Sequence, residues 1–214
     1  MNSKLFKKVS QTDLTSDRKK AHGFAVTGST VIPSVIALIW TLASLIYDRN
    51  TFTVEPLSMA HNYIPCKILM FAAIFTAASF LIRALTDRAS FELQVLKYAL
   101  IYFIPIIAVL AFKLPEGFLS NDESLIFSEA SRLADYTWFY YITTWYYIIS
   151  MMIIPSWLGP IIIKVIIQCA AAGYSAARLN RYLKGDKRSY LIYIAFILPP
   201  ILAYTTSAHR IPVY

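Results

Sequence analysis

The 214-residue chain is 57% hydrophobic and 15% charged, with a mean hydropathy of +0.54 and a formal net charge of +8. A soluble domain carries roughly 25% charged residues, so this composition excludes an ordinary water-soluble enzyme. The basic excess sits at the ends of apolar runs, where it sets topology, so it does not point to a nucleic-acid partner. Charge-free runs cover residues 23–47, 68–82, 98–112, 136–163, 165–177 and 189–208. A span needs roughly 20 apolar residues, or somewhat fewer where flanking Lys or Arg snorkel. The sequence therefore predicts an all-α, polytopic transmembrane bundle in the plasma membrane, with membrane lipids as its surroundings.

Residues 1–22 form a basic tail with Lys4, Lys7, Lys8, Arg18, Lys19 and Lys20, which the positive-inside rule places in the cytoplasm. The next apolar run is too long for a signal-peptide core and lacks a small-residue cleavage site, so it reads as an uncleaved first span near residues 27–47. The loop 48–67, with Asp48, Arg49, Glu55 and Lys67, is neutral and suits the outside. A second span over 64–82 returns, and the loop 83–97, with Arg83, Arg88 and Lys97, suits the inside. A unit of two spans thus occupies residues 23–95, with a boundary near 83–97, and a membrane module occupies 96–214. The module opens with an outward span at 96–112 and an acidic outer loop at 113–135.

Two topologies fit the next stretch. If both 136–154 and 157–177 cross, the segment 178–188 falls outside with five basic residues against Asp186, which breaks the positive-inside rule. The preferred arrangement has five spans plus one interfacial aromatic helix at 136–154, with six spans as the alternative. Tyr136, Trp138, Phe139, Tyr140, Tyr141, Trp145, Tyr146 and Tyr147 suit headgroup depth, and Pro155, Gly159 and Pro160 restart the helix. Spans at 157–177 and 189–208 follow. This topology puts 14 of the 20 basic residues inside and five outside, with Lys164 in the membrane. Cys169, Gly173 and Ala177 give one helix a small-residue face, as do Ala73 and Ala77 on another; such faces let helices approach closely. The other cysteine, Cys66, lies far from Cys169 without metal-type spacing, so neither a disulfide nor a zinc site is expected.

Three places can carry chemistry. Asn121-Asp122-Glu123 follows an outward span and opens a predicted helix capped by Ser120 or Asn121. Adjacent carboxylates at a membrane surface can serve as a general base or hold a divalent cation, and equally form an ordinary acidic cap cluster. Lys164 is a charge inside a span; it either snorkels outward over about 10 Å of helix rise or faces the acidic loop or an anionic headgroup. His209 and Arg210 end the last outward span on the same side as Asp122, where the arginine either grips a phosphate or anchors the span end. The chain has no P-loop, dinucleotide fingerprint, nucleophile elbow or metal-ligand cluster.

From residue 96 onward the order of elements resembles the start of the GT-C class of polytopic glycosyltransferases. An outward span, an acidic pair at Asp122-Glu123, a surface element at 136–154, and a small-residue span ending Ala-Ala-Arg-Leu-Asn-Arg-Tyr-Leu follow one another. The resemblance implies the N-terminal part of an enzyme that takes its sugar from a polyprenyl-phosphate carrier at the outer face. Asp122 or Glu123 would then be the catalytic base, and Arg210 would lie near the lipid phosphate. Two other readings stand beside it: a non-catalytic subunit with a membrane-protein partner, and a small transporter, flippase or immunity-type protein. Lys164 as the one clearly charged residue within a span counts against a transport path.

Overall fold

The computed structural model describes residues 30–113, 121–134, 141–198 and 201. The basic tail, residues 114–120 and 135 of the acidic loop, the start of the aromatic stretch at 136–140, and residues 199–200 and 202–214 of the predicted last span and tail, with His209 and Arg210, lie outside the described residues. Every regular element among the described residues is helical. They are α1 (Thr30–Thr51), α2 (Ala60–Thr86), α3 (Phe91–Lys113), α4 (Asn121–Ser131), α5 (Tyr141–Ile153), α6 (Gly159–Tyr182) and α7 (Ile192–Ile197), with 3-10 turns at Pro56–Met59 and Lys187–Leu191.

Four of these helices are long and apolar enough to cross a bilayer: α1, α2 with its leading turn, α3 and α6. At about 1.5 Å per residue each rises more than about 30 Å, the depth of the hydrocarbon layer. All-helical spans follow from physics, because lipid offers no partner for backbone amides and a helix satisfies them internally. α2 and α3 run through Pro65 and Pro105, which a membrane helix tolerates. On α1 only a narrow stripe of Pro33, Ala37, Ser44 and Asp48 is buried, while Ile39, Trp40, Leu42 and Ile46 point outward. Such a surface suits lipid contact.

α3 and α6 pack closely and antiparallel. The expected small-residue face is the reason. Cys169, Ala172, Gly173, Ala176 and Ala177 are buried, and a Cβ on Gly173 would lie 2.6 Å from the Val95 carbonyl oxygen and 2.7 Å from the Ala99 nitrogen. Only a glycine allows that approach. By contrast, Ala73 and Ala77 of α2 are exposed, and Ala78 is the buried position. Tyr102, Ile106, Val165, Cys169 and Tyr193 fill this half of the core, with the Tyr102 hydroxyl donating to the Phe196 carbonyl at 2.7 Å and the Tyr193 hydroxyl to the Tyr98 carbonyl at 2.8 Å.

The antiparallel pair places the segments 83–97 and 178–188 at one end of the bundle, where Arg181 Nε donates to Gln94 Oε1 at 3.1 Å. The chain between the end of α3 and the start of α6 therefore leaves and returns at the other end. α5, at 13 residues, rises about 20 Å, short of a crossing. Tyr147 is buried, and Trp145 and Tyr146 are half-buried with polar partners inside the protein. Thr144, Tyr147, Ile148 and Met151 form a buried stripe at helical spacing, Trp145 donates to Asn62, and the Tyr146 hydroxyl donates to the Pro160 carbonyl.

Candidate functional site

The end of the bundle opposite the basic segments holds the polar groups of interest. α1 closes with Ser44 and Asp48 one turn apart, and α2 opens with Tyr63 and Lys67 one turn apart. The four side chains meet. Asp48 Oδ2 accepts from Lys67 Nζ and from the Tyr63 hydroxyl, each at 2.5 Å, and Lys67 Nζ also donates to Ser44 Oγ at 2.6 Å. The ammonium lies 5.3 Å from the Tyr63 ring centroid. Asp48 is 1% exposed and Lys67 8%, so the pair is nearly dry. The sequence places both charges in an outer loop; instead Lys67 lies within α2, because the helix begins at Ala60 and continues through Pro65. A buried pair of this kind is neutral overall, which is the condition under which charges survive between apolar helices.

One turn nearer the start of α2, Asn62 joins three elements. Its Nδ2 donates to the Leu133 carbonyl at 2.9 Å and its Oδ1 accepts from Trp145 Nε1 at 3.2 Å. Leu133 is fully buried with φ of 56°, a left-handed conformation that a leucine holds only when its surroundings impose it. The Thr53 amide adds a bond to the Ser131 carbonyl at 2.8 Å. These contacts fasten the C-terminal end of α4 to the α1–α2 connection and to α5, over a core of Phe52, Tyr63, Met70, Ile126, Ala130 and Met151. The Thr144 hydroxyl, fully buried on α5, has no hydrogen-bond partner among the described residues, and nothing in the packing accounts for it.

Of the residues singled out in the sequence, Asp122 and Glu123 occupy the first turn of α4, which begins at Asn121. The predicted cap residue Ser120 lies outside the described residues, as do Arg210 and His209. Lys164 is 9% exposed and sits among the buried positions of α6, so it faces the bundle interior rather than snorkelling into lipid. It lies about one and a half turns from the start of α6, in the half of the bundle that carries α4 and α5. Among the described residues no group of three His, Cys, Asp or Glu side chains could hold a metal ion. Cys66 and Cys169 are both buried, and no disulfide joins them.

The Ser44–Asp48–Tyr63–Lys67 cluster is the feature that sequence reasoning missed. The available signal was the matched spacing: two polar residues four apart at the end of one span, and two more four apart at the start of the next. Comparison with protein-family models, with curated proteins and with solved structures finds no match to this chain. What the chain does must therefore be argued from its own geometry: a helical bundle suited to a bilayer, a neutralised polar cluster buried at one end, and an acidic helix fastened beside it.

Proposed function

We propose that the chain is a multi-pass plasma-membrane protein, with its N-terminus in the cytoplasm, that transfers a sugar from a polyprenyl-phosphate carrier at the outer face. The observation that carries this reading is the anchoring of α4. The Thr53 amide bonds to the Ser131 carbonyl at its end and Asn62 to the Leu133 carbonyl just beyond it, and Asp122 and Glu123 belong to the first turn of the same helix, which supports a role for them near this end of the bundle. A carboxylate so placed takes the proton of an acceptor hydroxyl as its oxygen attacks the anomeric carbon. The bond from that carbon to the carrier's phosphate breaks, and the phosphate leaves with the electron pair. A cation beside the departing phosphate assists. Lys164, inward-facing in the same half of the bundle, and Arg210, with His209 beside it, are the proposed groups. A divalent cation held by the acidic pair would serve the same purpose.

The test is turnover of a polyprenyl-phosphate sugar by the purified chain. Asp122→Asn combined with Glu123→Gln is expected to lower the rate about 10²- to 10⁴-fold, with Glu116→Gln and Asp135→Asn near parental activity. Transfer that survives the double change removes the base. A second reading, a non-catalytic subunit of a membrane complex, is favoured by the exposed Ala73 and Ala77 on α2, a small-residue face suited to another membrane helix. Under that reading the acidic double variant assembles and functions as the parent does.

A further inference from the structure

At the opposite end of the bundle, the last turn of α6 lies beside the first turn of α3. Arg178 and Arg181 are exposed there, yet both are held in place. The Arg181 guanidinium carbon is 4.3 Å from the Phe91 ring centroid, and that of Arg178 is 5.8 Å from Phe91 and 5.7 Å from Tyr174. Each guanidinium commits its Nε–H to a neighbouring side chain, Arg178 to the Tyr174 hydroxyl at 3.2 Å and Arg181 to Gln94 Oε1 at 3.1 Å. Neither forms an ion pair among the described residues, where the pairs are Lys67–Asp48, Arg132–Glu129 and Arg188–Asp186. Two forks are therefore positioned by aromatic stacking while their terminal amino groups remain uncommitted to any carboxylate. Arginine forks of this kind suit the paired oxygens of a phosphate. Lys184 and Lys187, both exposed, add positive charge in the turn that follows.

The surface leading to the forks says which phosphate. Ile167, Ala171, Tyr174 and Arg178 are all exposed and recur at helical spacing, so an apolar strip runs along α6 and ends at the first arginine. A free anion has no use for such a strip, whereas an acyl chain lies along it with its headgroup at the span end. We propose that Arg178 and Arg181 bind the phosphate of an anionic phospholipid, with an acyl chain along the exposed face of α6. This site is separate from the proposed sugar-transfer chemistry and does not depend on it.

The test uses the purified full chain in phosphatidylcholine bilayers carrying spin-labelled phosphatidylglycerol or spin-labelled phosphatidylcholine, and reads the fraction of label immobilised by the protein. The parent is expected to prefer phosphatidylglycerol by about fivefold or more. Arg178→Gln with Arg181→Gln should bring the preference to near unity, Arg178→Lys with Arg181→Lys should leave an intermediate value, and Arg88→Gln should leave it at the parental level. Helix content by circular dichroism is expected to be equal in all, since the substituted side chains are exposed. Inorganic phosphate at 10 mM, an order-of-magnitude excess over typical weak sites, should not displace the lipid. A preference that persists in the double glutamine variant, or is absent from the parent, overturns the proposal; displacement by inorganic phosphate overturns it too, by assigning the forks to a soluble anion.

Discussion

Removing Lys67 tests the buried cluster most severely. Asp48 then keeps one donor, the Tyr63 hydroxyl, while its charge is left nearly dry at 1% exposure. Breaking a buried pair from one side costs about 3–5 kcal/mol, because an uncompensated charge remains. Lys67→Met keeps the length of the side chain and its apolar contacts, so the loss reports the charge rather than a cavity. For a chain of this size each kcal/mol moves the melting midpoint by about 2–4 °C, so a fall of about 10 °C is expected. Asp48→Leu alone should cost a similar amount, since it strands the ammonium beside Ser44 and Tyr63. Combining the two changes leaves a contact between α1 and α2 that is apolar except for the Tyr63 hydroxyl, which loses its acceptor, so the double variant is expected within about 1–3 kcal/mol of the parent. The assay is thermal unfolding in one detergent for the parent, both single variants and the double variant. The coupling between the sites should reach about 3 kcal/mol or more. Single losses below about 1 kcal/mol, or a double variant whose loss equals the sum of the two, would refute the reasoning.

Gly173→Ala should loosen the α3–α6 contact, because the new Cβ meets the Val95 carbonyl at 2.6 Å; a loss of about 1–3 kcal/mol is expected, and an unchanged midpoint would mean the helices are not packed as described. Asn62→Leu should leave the buried Leu133 carbonyl without its donor and cost about 1–3 kcal/mol, read in the same thermal assay; its signature is earlier proteolytic cleavage near α4, and a protease pattern identical to the parent would contradict that role. Gln94→Cys paired with Arg181→Cys should be bridged by a bifunctional thiol reagent of about 10 Å reach, longer than the about 7 Å a disulfide spans, whereas Gln94→Cys paired with Ser124→Cys should not, since the first pair shares one end of the bundle.

Much of the architecture was legible because hydropathy is a property of long windows. α1, α3 and α6 fall where apolar runs are bounded by charges, and the Cys169–Gly173–Ala177 spacing announces the face that packs on α3. The first turns of α2 were not legible. A charge at position 67 reads as a loop when considered alone, and only the facing α1 shows that Asp48 neutralises it within the bundle. The aromatic helix reads two ways for a related reason. Tyr and Trp do favour headgroups, but a ring is equally stable in a core when protein supplies its polar partner, as Asn62 does for Trp145 and the Pro160 carbonyl for Tyr146. The Thr144–Tyr147–Ile148–Met151 stripe marks the buried side of α5 and was readable from periodicity. At the candidate site, Lys164 emerges as an interior residue, a choice that depends on which face of α6 meets its neighbours.

The central claim is a membrane bundle with its basic segments together at one end and its acidic helix at the other. Single cysteines at Arg88, Ser124 and Lys187, all exposed positions, in a background lacking Cys66 and Cys169, can be tested with a membrane-impermeant thiol reagent on intact cells. The account predicts labelling at Ser124→Cys and protection at both Arg88→Cys and Lys187→Cys until the membrane is opened. Labelling that separates position 88 from position 187, or places 124 with either, would contradict it.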